Sequence, residues 1–183
     1  LLATASSVSV AVLGVTPAFA AGTTAGSTIT NTATVNYQVG GVAQTAINAS
    51  TAFTVDRKVN LTVAEVGSAT TPVSPGATAQ VTTFTVTNTS NDVLDIGLTA
   101  AQLAGGTAEH GGTDSFDVTG LSMFVDTNGN GTYDAGTDTA ITFIDELAAD
   151  ASRTIFLVGN VPLGTANGAI AGVTLTGQAR ASG

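Results

Sequence analysis

The residues best equipped for chemistry lie in one run: Asp126-Thr-Asn128-Gly-Asn130-Gly131-Thr132-Tyr133-Asp134-Ala-Gly-Thr-Asp138. A hard Ca²⁺ ion takes about six to eight oxygen ligands, and alternate residues of a tight loop can aim their oxygens at one point. Asp126, Asn128 and Asn130 would supply side-chain oxygens at positions one, three and five. Gly131 allows the sharp turn, Thr132 offers its backbone carbonyl, and Asp134 fills position nine, directly or through water. This follows most of the EF-hand loop spacing. Position twelve departs from it: Thr137 stands where the bidentate Glu belongs, so Asp138 must close the site one residue late. Asp145 is a candidate additional ligand. The competing reading is a solvated hairpin loop, since Asn-Gly and Asp-rich runs are ordinary turn formers. If calcium binds, Kd is expected on the order of 0.1–1 mM, as in extracellular modules.

Other chemistry finds little support. The chain has no cysteine, which removes thiolate zinc sites, disulfides and thiol nucleophiles. His110 is the single histidine, in Glu109-His110-Gly111-Gly112, and no Gly-x-Ser-x-Gly or His-Glu-x-x-His pattern occurs. Asp114 with Asp117, or Asp145 with Glu146, would be the carboxylate pairs for glycoside hydrolysis. Acids capping loops account for them more simply. No enzymatic activity is expected, and no cofactor beyond calcium. The formal net charge is −9, and Arg57, Lys58, Arg153 and Arg180 are the only strong cations. Phosphate neutralisation needs clustered Lys and Arg, so nucleic acid is excluded as a partner, and anionic membrane surfaces with it.

Around the loop, the elements read as strands. Hydrophobic residues make up 43% of the chain and charged residues 9%, a balance unlike that of disordered segments. Ile29, Ala33, Val35, Tyr37 and Val39 alternate with Thr and Asn, the period of a strand with one buried face. Gly40-Gly41 supplies the positive φ of a two-residue hairpin turn, with a return strand from Val42 toward Ala49. Phe53 and Val55 begin a further strand, followed by Val59, Leu61 and Val63. Pro72 and Pro75-Gly76 mark a turn. Phe84 and Val86 precede a turn at Asn88–Asp92, and Leu94, Ile96 and Leu98 alternate after it. Ala100–Ala104 has room for one helical turn at the start of a loop. Strands Leu121–Val125 and Thr139–Phe143 flank the acidic loop, which rules out the helix opening of EF-hand sensors. A turn is expected at Asp145–Ser152. Ile155 to Val161 is apolar on both faces and reads as a covered central strand, and Val173, Leu175 and Ala179 belong to a last strand. Short strands with glycine-rich turns predict an all-β, antiparallel β-sandwich.

The first twenty residues, LLATASSVSVAVLGVTPAFA, carry no charge. A short apolar stretch at Val8–Val15, Pro17 and Ala18-Phe19-Ala20 fit a signal peptide cleaved after Ala20. A membrane anchor or a retained strand are the alternatives, but the apolar stretch is short for a span. The organisation expected is a signal peptide over 1–20, an N-terminal hairpin lead-in over 21–55, and a sandwich over 56–183 that continues past Gly183. Export to the cell surface, periplasm or medium follows, without stable membrane insertion after cleavage.

Three segments carry a family resemblance: VSPGATAQVTTFTVTNTSNDVLDIGLTA (Val73–Ala100), DTNGNGTYDAGTD, and LAADASRTIFLVGNVP (Leu147–Pro162). They make Val59–Pro162 resemble the immunoglobulin-like conserved repeat of bacterial exported and cell-surface proteins, a scaffold whose function is unknown. The resemblance implies an immunoglobulin-like topology and, as a scaffold with many uses, little about function. An exported sandwich without a catalytic constellation is expected to be structural, in an adhesin, matrix or filament, stabilised by calcium. The partners expected of such a protein are other surface proteins, or further copies of the chain through strand Ile29–Val39 docking at a neighbour's sheet edge. Against the latter stands that strand's pairing with Val42–Ala49 in a local hairpin. The alternative is a calcium-dependent glycan- or ligand-binding module, which calls for an exposed aromatic such as Tyr133 beside the loop.

Overall fold

The computed structural model describes residues 22–67 and 69–180; the predicted leader and its cleavage site lie outside them. Twelve strands occur among the described residues: β1 (Thr28–Val35), β2 (Gln38–Val39), β3 (Val42–Ala43), β4 (Ile47–Thr54), β5 (Leu61–Glu65), β6 (Gln80–Asn88), β7 (Leu94–Gln102), β8 (Thr119–Val125), β9 (Thr139–Ala140), β10 (Phe143–Leu147), β11 (Ser152–Asn160) and β12 (Val173–Arg180). Among the described residues there is no helix, and so none long and apolar enough to cross a membrane. The protein is all-β, with every strand pairing antiparallel.

Two sheets form the sandwich, in the orders β5-β6-β11-β8-β9 and β10-β7-β12. Alternation along each strand builds the core between them. Phe84, Val86, Ile155 and Leu157 from the larger sheet meet Leu94, Ile96, Leu98, Ile144, Leu147 and Leu175 from the smaller one, all buried. β11 lies between β6 and β8, as its apolar pattern predicts. Its outward residues Phe156 and Val158 are also buried, at 0% and 8% exposure, because the outer face of this sheet is covered too.

Local departures from the sequence reading have identifiable causes. Phe53 does not open a new strand: it is the cross-strand partner of Ile29 near the end of β4, which pairs with β1 along its whole length. Ala100–Ala104 is not helical, because Ala100 and Ala101 pair with Leu175 and Thr174. The turn expected from Asp145 begins after Leu147. Ile144 and Leu147 are three residues apart and would face opposite sides of a regular strand. A bulge between them, with Glu146 at φ +45°, turns both into the core.

β1 to β4 form a separate ribbon. Gly40 and Gly41 turn at φ +58° and +81°, as the hairpin signal predicts, and Val39 pairs with Val42. The return strand carries one more residue than the outgoing strand between Ala43 and Ile47, which makes a bulge before the eight pairs from Val35–Ile47 to Thr28–Thr54. Opposed residues share a face. One face therefore presents the pairs Ile29–Phe53, Ala33–Ala49 and Val35–Ile47, interrupted by the polar pair Asn31–Thr51, and the other presents Thr28–Thr54, Thr30–Ala52, Thr32–Ser50 and Thr34–Asn48.

The ribbon is anchored by a polar knot in the β6–β7 turn. Asn91 is buried; its Nδ2 donates to the carbonyls of Thr23 and Asp56 at 3.0 Å each, and its Oδ1 accepts from the Lys58 amide. The Ala25 amide donates to the Asn91 carbonyl. Ser90 exchanges hydrogen bonds with both backbone groups of Asn60 at 2.9 Å. Arg57 donates to the Val93 carbonyl and lies 3.2 Å from Asp92 in an ion pair. Arg57 is thus held by both a carbonyl and a carboxylate.

Candidate metal-binding loop

The acidic loop joins β8 to β9, whose last pairs are Phe124–Ala140 and Val125–Thr139. It is therefore a strand-flanked hairpin loop. Gly129, Gly131 and Gly136 sit at φ +72°, +75° and +88°, a region that side chains avoid, so the glycines are what lets the chain coil here.

The carboxylates have separate duties. Asp126 Oδ1 accepts from the Gly129 amide at 2.7 Å and the Asn130 amide at 3.3 Å, while Oδ2 accepts from Gly131 at 2.8 Å. Asp126 thus winds the first half of the loop around itself. Asp134 Oδ2 accepts from Asn128 Nδ2 at 2.9 Å and Asn130 Nδ2 at 2.7 Å. Asp138, 7% exposed, accepts from the Thr127 amide at 3.0 Å and the Asp134 amide at 2.7 Å, clamping the loop's two ends. Thr132 donates its amide to Asn130 Oδ1. Asp145 stands on β10, in the other sheet.

Among the described residues, no three carboxylate or imidazole side chains converge as a metal site would bring them together. The side chains that do converge are Asn128, Asn130 and Asp134, two of them amides. An amide presents nitrogen or oxygen after a half-turn about its last bond, with nearly the same shape. A half-turn at both Asn128 and Asn130 would direct two carbonyl oxygens to where Asp134 already points an oxygen. The exchange would release the bonds from Asn130 and Thr132 amides to those same side chains. Asp138 has both oxygens engaged by amides, leaving it a weaker closing ligand than a free bidentate Glu. After that exchange Asn128, Asn130 and Asp134 would offer three hard oxygens to a cation.

The two amides hold the Asp134 carboxyl below its usual 3.8, Asn128 contributing more than Asn130, with desolvation opposing them. A depressed folded-state pKa means stability present above the ordinary carboxylate range and lost as pH falls through the folded value. NMR titration of the Asp134 carboxyl without divalent metal should give a midpoint below 3.8, shifted up more by Asn128→Ala than by Asn130→Ala. An unshifted midpoint in the parent chain would contradict this geometry.

Tyr133 turns back onto the outer face of the larger sheet. Its ring centroid is 5.0 Å from that of Phe124 and 6.0 Å from that of Phe156, tilted at 52° and 66°. Such contacts add about 0.5–1.5 kcal/mol to area burial. The loop is therefore part of the sandwich's outer packing.

Comparison with known proteins decides nothing further. No protein-family profile, curated protein or solved structure matches this chain.

Two of the other candidate groups serve loops. His110 Nε2 lies 2.8 Å from Glu65 Oε2, tying the β7–β8 loop to the end of β5. Asp114 accepts from the amides of Gly105 and Gly172, stapling two connections together. In sequence Asn88–Asp92 has only the marks of a turn; its anchoring role comes from the side-chain bonds of Ser90 and Asn91. Its density of Asn and Ser was the available signal, but ordinary turns share it.

Proposed function

We propose that this chain is a structural module of an exported or cell-surface protein: a β-sandwich of immunoglobulin-like kind, stabilised by calcium in the loop Asp126–Asp138, with no catalytic role. The observation that carries this reading is the loop itself. Its oxygen donors are gathered over one short hairpin, and its aromatic residue is anchored to the sheet, so a cation bound there stiffens the sandwich. Asp126, Asn128, Asn130, Thr132 and Asp134 would hold the ion, with Asp138 closing the base. The ion supplies charge neutralisation among carboxylates and cross-links the two halves of the loop. The glycan-binding alternative is disfavoured because Tyr133, its sugar platform, is occupied by Phe124 and Phe156.

At about ten times Kd, a bound ion adds roughly 1.4 kcal/mol. For a chain of this size, that is a rise in Tm of about 3–6 °C. Melting in millimolar calcium against excess chelator should show this rise, and Asp126→Asn with Asp134→Asn should abolish it. Equal melting in the two buffers sinks the calcium assignment. Surface location is tested separately by antibody labelling of intact producing cells; signal that appears only after lysis overturns it.

A further inference from the structure

The ribbon β1–β4 buries almost nothing. Seven of the eight residues of β1 and all of β4 are exposed. Val35, Ile47 and Phe53 on its apolar face, and Val39 and Val42 at its tip, are 56–64% exposed. An isolated two-stranded hairpin is marginal in water and gains independent stability only by packing a face against something. The anchor at Asn91 holds the ribbon's base alone.

The charge distribution indicates what packs there. All 17 charged residues, 13 acidic and 4 basic, lie at Asp56 or beyond, so the ribbon has none on a chain of net charge −9. Sheet edges are ordinarily protected against pairing by Lys, Pro or inward charges, and both edges here lack all three. A neutral face offers no complementarity to a charged partner, whereas it suits another surface like itself. From Thr28 to Val39 the ribbon reaches about 40 Å at ~3.3 Å per residue. Two ribbons packed face to face and antiparallel would set their acidic bodies at opposite ends, several Debye lengths of ~8 Å apart.

We infer that the ribbon is a self-association arm, whose apolar face packs against the same face of a second copy of this chain. A face about 40 Å long and about 10 Å wide buries roughly 400 Å² per copy. The total of about 800 Å² falls in the weak, reversible class of interfaces. Pairing is therefore concentration-dependent, and suited to copies crowded on a surface. This deepens the structural reading above but is tested apart from it, since calcium melting and surface labelling do not depend on the arm.

Sedimentation of the purified chain from about 1 to 500 µM should show a monomer–dimer equilibrium, with Kd between tens of micromolar and about 1 mM. Raising the salt above about 0.15 M should change it little, because the two acidic bodies already lie several Debye lengths apart. Val35→Lys with Ile47→Lys should abolish dimerisation while leaving the melting of the sandwich unchanged. Thr32→Lys, on the opposite face, should leave dimerisation intact. A monomer throughout, or equal loss from Thr32→Lys, overturns the proposal. So does flotation of a monomeric chain with phosphatidylcholine vesicles, which would assign the face to lipid.

Discussion

Phe156→Ala should destabilise the protein by about 3–5 kcal/mol, the usual range for removing a buried aromatic ring. The ring is fully buried, yet it lies on the face of β11 opposite Ile155 and Leu157, outside the inter-sheet core. Tyr133 covers it from the acidic loop and stacks on Phe124 from β8. Truncation therefore leaves a cavity beneath the loop and removes the surface on which the loop rests. At about 2–4 °C per kcal/mol, Tm should fall by roughly 6–20 °C. Phe156→Leu keeps most of the volume and should lose much less. The chain has two tyrosines and no tryptophan, so in a Tyr37→Phe background Tyr133 is the sole emitter. Its emission should approach that of free tyrosine in Phe156→Ala before global unfolding. Urea unfolding gives the magnitude. A loss under 1 kcal/mol, or unchanged Tyr133 emission in the folded variant, would mean that the loop does not rest on this ring.

The reading of Phe156 shows what the sequence makes legible. Apolar residues at both parities from Ile155 to Val158 require two covered faces, so a buried central strand was readable. That the second cover is Tyr133, 23 residues earlier by number, depends on how the loop coils and was not readable. The β1 alternation and Gly40-Gly41 marked the hairpin. Its return strand was read too short, because Ile47–Thr54 is mostly Ala, Ser, Thr and Asn and has little hydrophobic period of its own. Only the pairing of Phe53 with Ile29 reveals that strand's end. Ile144 and Leu147 mislead in the opposite direction: their odd spacing argues against one strand until the bulge is seen. In the acidic loop, Asn128, Asn130 and Asp134 do meet, whereas Asp126 turns its carboxylate onto the amides of Gly129, Asn130 and Gly131. The spacing marks Asp138 as a closing ligand but not that its carboxylate binds the amides of Thr127 and Asp134.

Asn88 was legible only as a turn former, and it carries the second large prediction. Its side chain is fully buried. Nδ2 donates to the carbonyls of Asp92 and Leu147, both at 2.8 Å, and Oδ1 accepts from the Ser90 amide at 2.9 Å. Its backbone bonds to Ala151 and Asp150. One amide thus joins the β6–β7 turn to the β10–β11 turn, next to the residues that hold the arm. Asn88→Ala would strip partners from buried backbone groups that no water easily reaches, at about 1–3 kcal/mol for each group left unsatisfied. Because Asp92 lies nearer solvent than Leu147, the expected total is about 2–4 kcal/mol. Asn88→Asp tests whether hydrogen bonding or volume is responsible, since it keeps the shape but aims an acceptor at two carbonyls. Burial and those carbonyls raise the introduced carboxyl's folded-state pKa, so the variant's stability is greatest at low pH and declines as pH rises through that value. Its deficit relative to the parent chain should therefore be larger at pH 7 than at pH 4. Limited proteolysis adds a spatial readout: both variants should be cut sooner within 23–60, where Ser90 and Asn91 hold the arm's base. A pH-independent deficit under 1 kcal/mol, with unchanged cleavage, would show that Asn88 fills space without tying the two turns together.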